Sequence, residues 1–402
     1  MRNHLRLSRL LRGPPAIGVS VVLAMDYRGP YRVRVTDKPM PRIEHPRDAV
    51  VRVTRSCICG SDLHLYHGMV PDCRVGTTFG HEFTGIVEEL GEDVTNLKVG
   101  DHVLVPFNIA CGQCHFCKQG LFGNCHESNP QATAVAGIYG YSHTAGGYDG
   151  GQAQYVRVPY ADFGPTVIPD WMDPDDAVLL TDVVPTGYQA AEMGGIQKGD
   201  TVLVLGAGPV GLLAARSAWL FGAGRVIVID HVDYRLEFAR TYCPAEVYNF
   251  KELDDVVVFM KKTTDGLGVD VAIDAVGGDA KGNFLQTLFG TKLKLEAGNA
   301  IPAHWAINSV KKGGIVSIVG VYGPTGNMVP LGNVVNKGLT IRANQASVKR
   351  LVPRLIEHVR EGRLDPKAII THRVPLEEVA DAYHIFMSKL DNCIKPVLLP
   401  NG

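Results

Sequence analysis

The pattern of apolar and polar positions divides the chain into two textures. Between residues 22 and 180, short alternating runs (Ala49–Thr54, Phe83–Glu89, His102–Pro106 and Gln154–Pro159) are separated by glycine turns. Many short strands of this kind predict an irregular β-barrel. From Thr201 the texture changes. Thr201–Leu205, Arg225–Asp230, Val269–Ala275 and Ile315–Val321 are short apolar runs that read as buried strands, and the Ala/Leu-rich Pro209–Leu220 reads as a helix. Alternation of strand and helix predicts a parallel, doubly wound sheet with helices on both faces. Leu351–Glu361 and Leu376–Leu390 read as further helices, and Cys393–Leu399 as a closing strand. The expected fold class is α/β. There is no internal repeat and no low-complexity tract.

One junction in this pattern carries chemistry. The strand Thr201–Leu205 runs into Gly206-Ala207-Gly208-Pro209-Val210-Gly211, and a helix follows. Gly206 permits the tight turn, Gly208 lets the backbone approach a pyrophosphate, and Gly211 lets helix and strand pack closely. The free amides and positive dipole end of the helix then face the phosphates. Asp230 ends the next strand, about 20 residues on, as a dinucleotide-binding unit requires. Its carboxylate can accept from both ribose hydroxyls of NAD and would repel the 2′-phosphate of NADP. Arg235, one turn further, is placed to stack on adenine or neutralise a phosphate; the ordinary alternative is a solvated arginine.

Composition narrows the setting. At about 100–150 residues per domain, 402 residues favour two or more domains. Lys and Arg number 40 against 41 Asp and Glu, a net charge of -1, which gives no reason to expect a nucleic acid or an anionic membrane as partner. No run approaches the roughly 20 apolar residues of a membrane span. Residues 1–21 carry Arg2, Arg6, Arg9 and Arg12 and no acid, as a mitochondrial presequence can. Few serines and the pair Pro14-Pro15 favour a disordered extension or an upstream start instead. There are nine cysteines, an odd number, and Cys111, Cys114, Cys117 and Cys125 are crowded together. In a long chain this points to metal chemistry in a reducing, cytoplasmic setting rather than to a disulfide scaffold.

The spacing of those four is C-x2-C-x2-C-x7-C. Four thiolates can close a tetrahedron around zinc with no open position, so the site is expected to be structural. An iron–sulfur cluster could use similar spacing. His115 lies inside the loop and is surplus to a filled metal. A second constellation is Cys59-Gly60-Ser61-Asp62-Leu63-His64 with Gly80-His81-Glu82. Cys57, two residues before Cys59 on an extended strand, shares its face and is a decoy candidate.

With these motifs in view, the chain from about residue 22 to its end resembles the zinc-containing medium-chain alcohol dehydrogenase family. CGSDLH, GHE, the four-cysteine loop, Pro185-Thr186-Gly187-Tyr188, GAGPVG and the Asp230 strand end carry the resemblance. VPFN, GGQAQYVRVPYADF and TDVVPTGY are similar to its formaldehyde dehydrogenase-like branch. The resemblance implies a GroES-like catalytic domain over 22–184 and 345–402 and a Rossmann domain over 185–344. It implies two zinc ions and NAD, with Cys59 and His81 on the catalytic zinc. The third ligand position, commonly a cysteine, holds Asp182, a departure shared with the formaldehyde-oxidising relatives; aspartate is a competent ligand that leaves the metal the stronger Lewis acid. Glu82 would stand behind the ligands or exchange with them. Ser61 would receive the substrate proton and pass it towards His64, and Lys395 would contact the pyrophosphate. The plainer readings are a turn-capping serine, a surface histidine and a solvated lysine.

The expected function is hydride transfer between an alcohol or hydrated aldehyde and NAD, in a homo-oligomer (dimer or tetramer). A polyol or amino-alcohol dehydrogenase of the same architecture is the alternative within enzymes. A non-catalytic zinc- and nucleotide-binding protein is the alternative outside them, disfavoured by intact Cys59, Ser61, His64 and His81. One stretch departs from the pattern. About 35 residues separate Gly277 from Lys312, against about 10–15 for a single crossover helix. They carry Phe284, Leu288, Phe289, Leu293, Leu295 and Trp305, too much apolar side chain to float in solvent. Either part of Asp279–His304 folds over the adenine side of NAD and slows its release, or it packs against a neighbouring domain or subunit.

Overall fold

Backbone pairing sorts the strands into two principal sheets in the computed structural model, which describes residues 21–277, 300–322 and 329–402. Among the described residues, one sheet has seven strands and is built around Ala49–Cys57. That strand pairs antiparallel with Phe83–Leu90 and Tyr155–Val158, and at Ser56 and Cys57 with Lys395–Leu399. The end of the chain therefore closes the sheet beside the strand that leads to Cys59. Val51, Val53, Phe83, Val87, Val103 and Val105 form the interior of this GroES-like unit.

The second sheet is the expected Rossmann sheet. Its six parallel strands run Glu246–Asn249, Arg225–Asp230, Thr201–Leu205, Val269–Asp274, Val310–Ile318 and Thr340–Ala343. Numbered along the chain, that order is 3-2-1-4-5-6, and the switch point lies between Thr201–Leu205 and Val269–Asp274. Successive side chains of a strand face opposite sides. Val202 and Val204 accordingly join one apolar layer with Leu212 and Leu213, while Leu203 and Leu205 join another with Met260 and Ile307. Both faces are covered, which is why these strands read as unbroken apolar runs.

The helix Val183–Gly194 ties the two units together. It packs across Pro209–Leu220, and the contact is close: a Cβ added at Gly187 would lie 2.7 Å from Leu213 Cβ and 2.8 Å from the Ala214 nitrogen. The sequence pattern did not assign this helix, because Pro185 and Gly187 break its apolar period. Pro185 is tolerated because it falls in the first turn, where no intrahelical N–H bond is lost.

Thr201–Leu205, Arg225–Asp230 and Pro209–Leu220 occupy the expected residues. The strand expected at Ile315 begins earlier, at Val310. The helix expected from Leu376 begins at Val379, after a 3-10 turn that follows Pro375. Of the extension expected over 1–21, residues 1–20 lie outside the described residues and Val21 instead begins the strand Val21–Tyr27; of the segment Asp279–His304 expected to fold over NAD or pack elsewhere, residues 279–299 lie outside the described residues. Of the insertion, Ile301–Ser309 is a helix whose Trp305 packs on Phe250 with ring centroids 5.3 Å apart.

Candidate active site

Three elements bring the second constellation together. Cys59 caps the helix Gly60–Tyr66 at its N-terminus, and Asp62 Oδ2 accepts its backbone N–H at 2.9 Å. His81 precedes the strand Phe83–Leu90. Asp182 caps the helix Val183–Gly194, and its Oδ1 accepts from the Thr186 hydroxyl at 2.6 Å. Two of the three groups thus sit at helix N-termini, where the dipole favours negative charge. Asp182 Oδ2 lies 4.0 Å from Cys59 Sγ and 3.4 Å from His81 Nε2. Donor atoms of Cys59, His81, Glu82 and Asp182 all fall within 4.8 Å of one another. Zinc bonds of about 2.0–2.3 Å imply ligand–ligand edges of about 3.3–3.8 Å in a tetrahedron, so the donor set fits zinc.

Electrostatics agree with that fit. Burial alone would lower the His81 pKa, but the Asp62 charge and the hydrogen bond to Asp182 raise it well above the usual imidazole value. For Asp182, burial would raise the pKa, and His81 and Thr186 hold it down instead. Two carboxylates around one buried imidazole leave an excess of negative charge that a cation would neutralise. Ser61 Oγ lies 3.3 Å from His81 Nε2, on the donor side of the site. His64 is one turn further on the same helix and is 5% exposed, so it is not a surface histidine.

Lys395 does not reach the phosphate loop. It is fully buried, and its Nζ lies 2.8 Å and 2.6 Å from the two Glu82 oxygens. Strand pairing beside Cys57 carries it behind the donor set, and sequence position alone could not reveal that register. Glu82 is held from behind by this ion pair. Cys57 is also wholly buried there, and burial, with the Glu82 charge added, pushes its thiol pKa well up.

The four-cysteine loop closes on itself. Cys111 Sγ lies 4.0 Å from Cys117 Sγ, and Cys114 Sγ lies 3.9 Å from Cys125 Sγ. These are edges suited to zinc with four sulfur ligands at about 2.3 Å. Backbone amides of Cys111 and Cys114 point at Cys125 and Cys111 sulfurs at 3.3 Å. A hydrogen bond from Cys117 holds the Cys125 thiol well below its ordinary range. His115 is exposed, outside the cluster.

In the Rossmann sheet, Gly206 has φ +97, and a Cβ added at Gly211 would lie 1.9 Å from the Gly206 oxygen. Neither position admits a side chain. Gly208 caps the helix Pro209–Leu220 and faces open space apart from Arg235 Nη1, 3.7 Å from its added Cβ. Asp230 accepts from the backbone N–H of Ala207 at 2.6 Å, His231 at 2.6 Å and Val232 at 3.1 Å. Burial would raise its pKa, but hydrogen bonds from His231 and Ala207 bring it down to about 2.

Residues 45–170 match the alcohol dehydrogenase GroES-like domain, and residues 209–289 match the zinc-binding dehydrogenase family. A zinc-type alcohol dehydrogenase-like protein of Bacillus subtilis is 45% identical over 379 residues, covering 94% of this chain and 100% of the relative. The chain belongs to the zinc-type alcohol dehydrogenase family. The alcohol dehydrogenase TADH from Thermus sp. ATN1 superposes with a TM-score of 0.80 at 34% identity, over 94% of this chain and 99% of that one. A glutathione-independent formaldehyde dehydrogenase of Pseudomonas aeruginosa is 40% identical over 270 residues, 64% of this chain and 66% of its own length. A zinc-binding dehydrogenase of Sinorhizobium meliloti, solved with NADP, matches at 25% identity and a TM-score of 0.75, over 95% of this chain and 100% of its own.

Sequence reasoning missed some neighbours of the site in this dehydrogenase. His231 Nδ1 lies 3.3 Å from Asp230 Oδ1. Asp274, fully buried at the end of its strand, accepts from the Val276 and Gly277 amides and from the Tyr322 hydroxyl. Burial pushes its pKa up. Nothing in spacing or periodicity marks these contacts. Among the described residues, no helix is long and apolar enough to cross a membrane.

Proposed function

We propose that this dehydrogenase oxidises a small alcohol or hydrated, formaldehyde-like aldehyde with NAD. Cys59, His81 and Asp182 hold a catalytic zinc, and Cys111, Cys114, Cys117 and Cys125 hold a structural one. The observation that carries the reading is the convergence of one thiol, one imidazole and one carboxylate, with Ser61 beside them. Three protein ligands leave a fourth position open, the pattern of catalytic rather than structural zinc. When bound, zinc acts as a Lewis acid that lowers the pKa of a substrate hydroxyl, and NAD accepts the hydride.

The chain's own residues do the rest. Ser61 takes the substrate's hydroxyl proton. His64, at i+3 on the same helix face, carries that proton outward. Gly206, Gly208, Pro209, Val210 and Gly211 bring free backbone amides to the pyrophosphate. Asp230, kept charged by three N–H donors, accepts from the ribose hydroxyls and repels a 2′-phosphate. Arg235, over Gly208, supplies the positive charge. The division at 184/185 and 344/345 separates catalytic and NAD-binding units.

A homo-oligomer is also proposed. The edge strand Thr340–Ala343 is exposed along its length, and Leu331 and Val335 beside it are 67% and 77% exposed. A second copy would pair the edge and cover the apolar side chains. The function is tested by following NADH release over methanol to octanol, formaldehyde with and without glutathione, and polyols. Turnover with none of them, in protein carrying two zinc ions, would leave a binding protein.

A further inference from the structure

Four buried polar side chains from separate elements run in line away from the proposed catalytic zinc. Tyr383, on the helix Val379–Ser388, hydrogen-bonds to Gln152 Oε1 at 2.9 Å. Gln152 Nε2 donates to the Cys57 carbonyl at 3.0 Å and to Asp62 Oδ2 at 3.3 Å. Asp62 Oδ2 also accepts the Cys59 N–H, and Asp62 Oδ1 lies 3.3 Å from His81 Nδ1. Tyr383, Gln152 and Asp62 are each 0% exposed, and His81 is 3% exposed.

The chain can run in one sense only. The Cys57 carbonyl and the Asp62 carboxylate are acceptors, so the Gln152 amide must turn its NH2 towards them. Its oxygen then faces Tyr383, which must donate. A reversed amide would set an oxygen against two acceptors in a place closed to water. Asp62 Oδ1 thus backs His81 Nδ1 at 3.3 Å, while His81 Nε2 faces Asp182 Oδ2 at 3.4 Å on the donor side of the site. The seat of Gln152 is itself built. A Cβ on Gly80, which has φ +97, would lie 2.5 Å from Gln152 Cγ, and the Gln152 N–H bonds to the Phe79 carbonyl at 3.0 Å. The residue before His81 is thus bare of a side chain where Gln152 enters.

We infer that Gln152 and Tyr383 are positioning residues of the zinc site, locking the orientation of Asp62 and through it the His81 ring and the Cys59 backbone. The inference rests on the reading of Cys59, His81 and Asp182 as zinc ligands. It goes beyond that reading by placing control of the site on a C-terminal helix that supplies none of its donor atoms.

The test is zinc release from full-length, zinc-loaded protein to a chromogenic chelator. The phase that Cys59→Ala lacks belongs to the catalytic site, and the four-cysteine phase is an internal control. Gln152→Met, close in shape but without donors, should speed catalytic-site release about tenfold. That is the low end of the roughly 10–100-fold expected when a ligand's hydrogen-bond support is removed. Tyr383→Phe should do likewise more weakly, with the four-cysteine phase unchanged. In cobalt-substituted protein both changes should shift the visible bands of the Cys59 site. In a Gln152→Met background, Tyr383→Phe should add nothing, because it acts only through the amide. Equal acceleration of both phases, a full Tyr383→Phe effect without Gln152, or unchanged release in both variants overturns the inference while the zinc reading stands. Wild-type protein with no zinc at Cys59 overturns that reading and this inference with it.

Discussion

Lys395→Met should destabilise the catalytic unit severely, although substitutions of exposed side chains usually change stability little. The Lys395 and Glu82 side chains are 1% and 0% exposed, and their closest approach is 2.6 Å. Removing the ammonium leaves a carboxylate buried and unpaired, which costs about 3–5 kcal/mol. For a cooperative unit of about 150–250 residues, about 2–4 °C is lost per kcal/mol, so the melting temperature should fall by roughly 10 °C. Glu82→Leu alone should fall comparably, with the ammonium left unpaired. The double variant replaces the pair with apolar side chains and should recover to within about 1 kcal/mol of wild type. The assay is differential scanning fluorimetry on zinc-loaded protein, with an alcohol oxidation rate alongside. A Lys395→Met protein melting within about 2 °C of wild type, or a double variant as unstable as the single, would refute the reasoning.

Cys114→Ala should unfold the loop and lower the melting temperature, because structural zinc contributes folding free energy, while Cys59→Ala should lose one zinc and all turnover in a folded protein; elemental analysis with circular dichroism separates them. Asp230→Ala should narrow the NAD/NADP preference in kcat/KM by roughly tenfold or more, as expected for like charges about 4 Å apart; an unchanged ratio would show that Asp230 does not read the ribose. Burial brings the Lys349 amine down to about 8, below the unfolded value of about 10.4. The folded state then binds fewer protons than the unfolded one between those values, so this group's penalty is full below pH 8 and relieved as pH rises towards 10.4. Lys349→Met should flatten the rise in stability between pH 7 and 9.5 by about 2 kcal/mol relative to wild type, read by denaturant melts at each pH.

The Rossmann half was legible because its physics is local. A strand buried on both faces is an apolar run, and the turn after Leu205 leaves room for no Cβ at Gly206 or Gly211. The four-cysteine loop was legible from its spacing, but the proposed catalytic-zinc ligands only by resemblance, since nothing local joins Asp182 to Cys59. Lys395 was misplaced for the same reason. Its partner is 313 positions away, and the antiparallel register that joins them is a property of the whole sheet. Gln152 stood in a quoted motif without a role, because a hydrogen-bond relay leaves no periodic trace. The helix Val183–Gly194 was hidden by a proline and a glycine whose purposes are positional.

Gly187 turns that helix into a caliper. One end of the helix holds Asp182, and its middle rests on the helix that leaves the glycine-rich loop, so on the proposed reading a single interhelical spacing would set how far the zinc stands from a bound dinucleotide. Hydride transfer depends steeply on the gap between the two carbons, and a methyl group at residue 187 would wedge the helices apart. A Gly187→Ala protein that still folds should oxidise deuterated alcohol with an enlarged and more temperature-dependent kinetic isotope effect, the mark of a longer jump. The reach of the reaction would then be written in the thickness of one glycine.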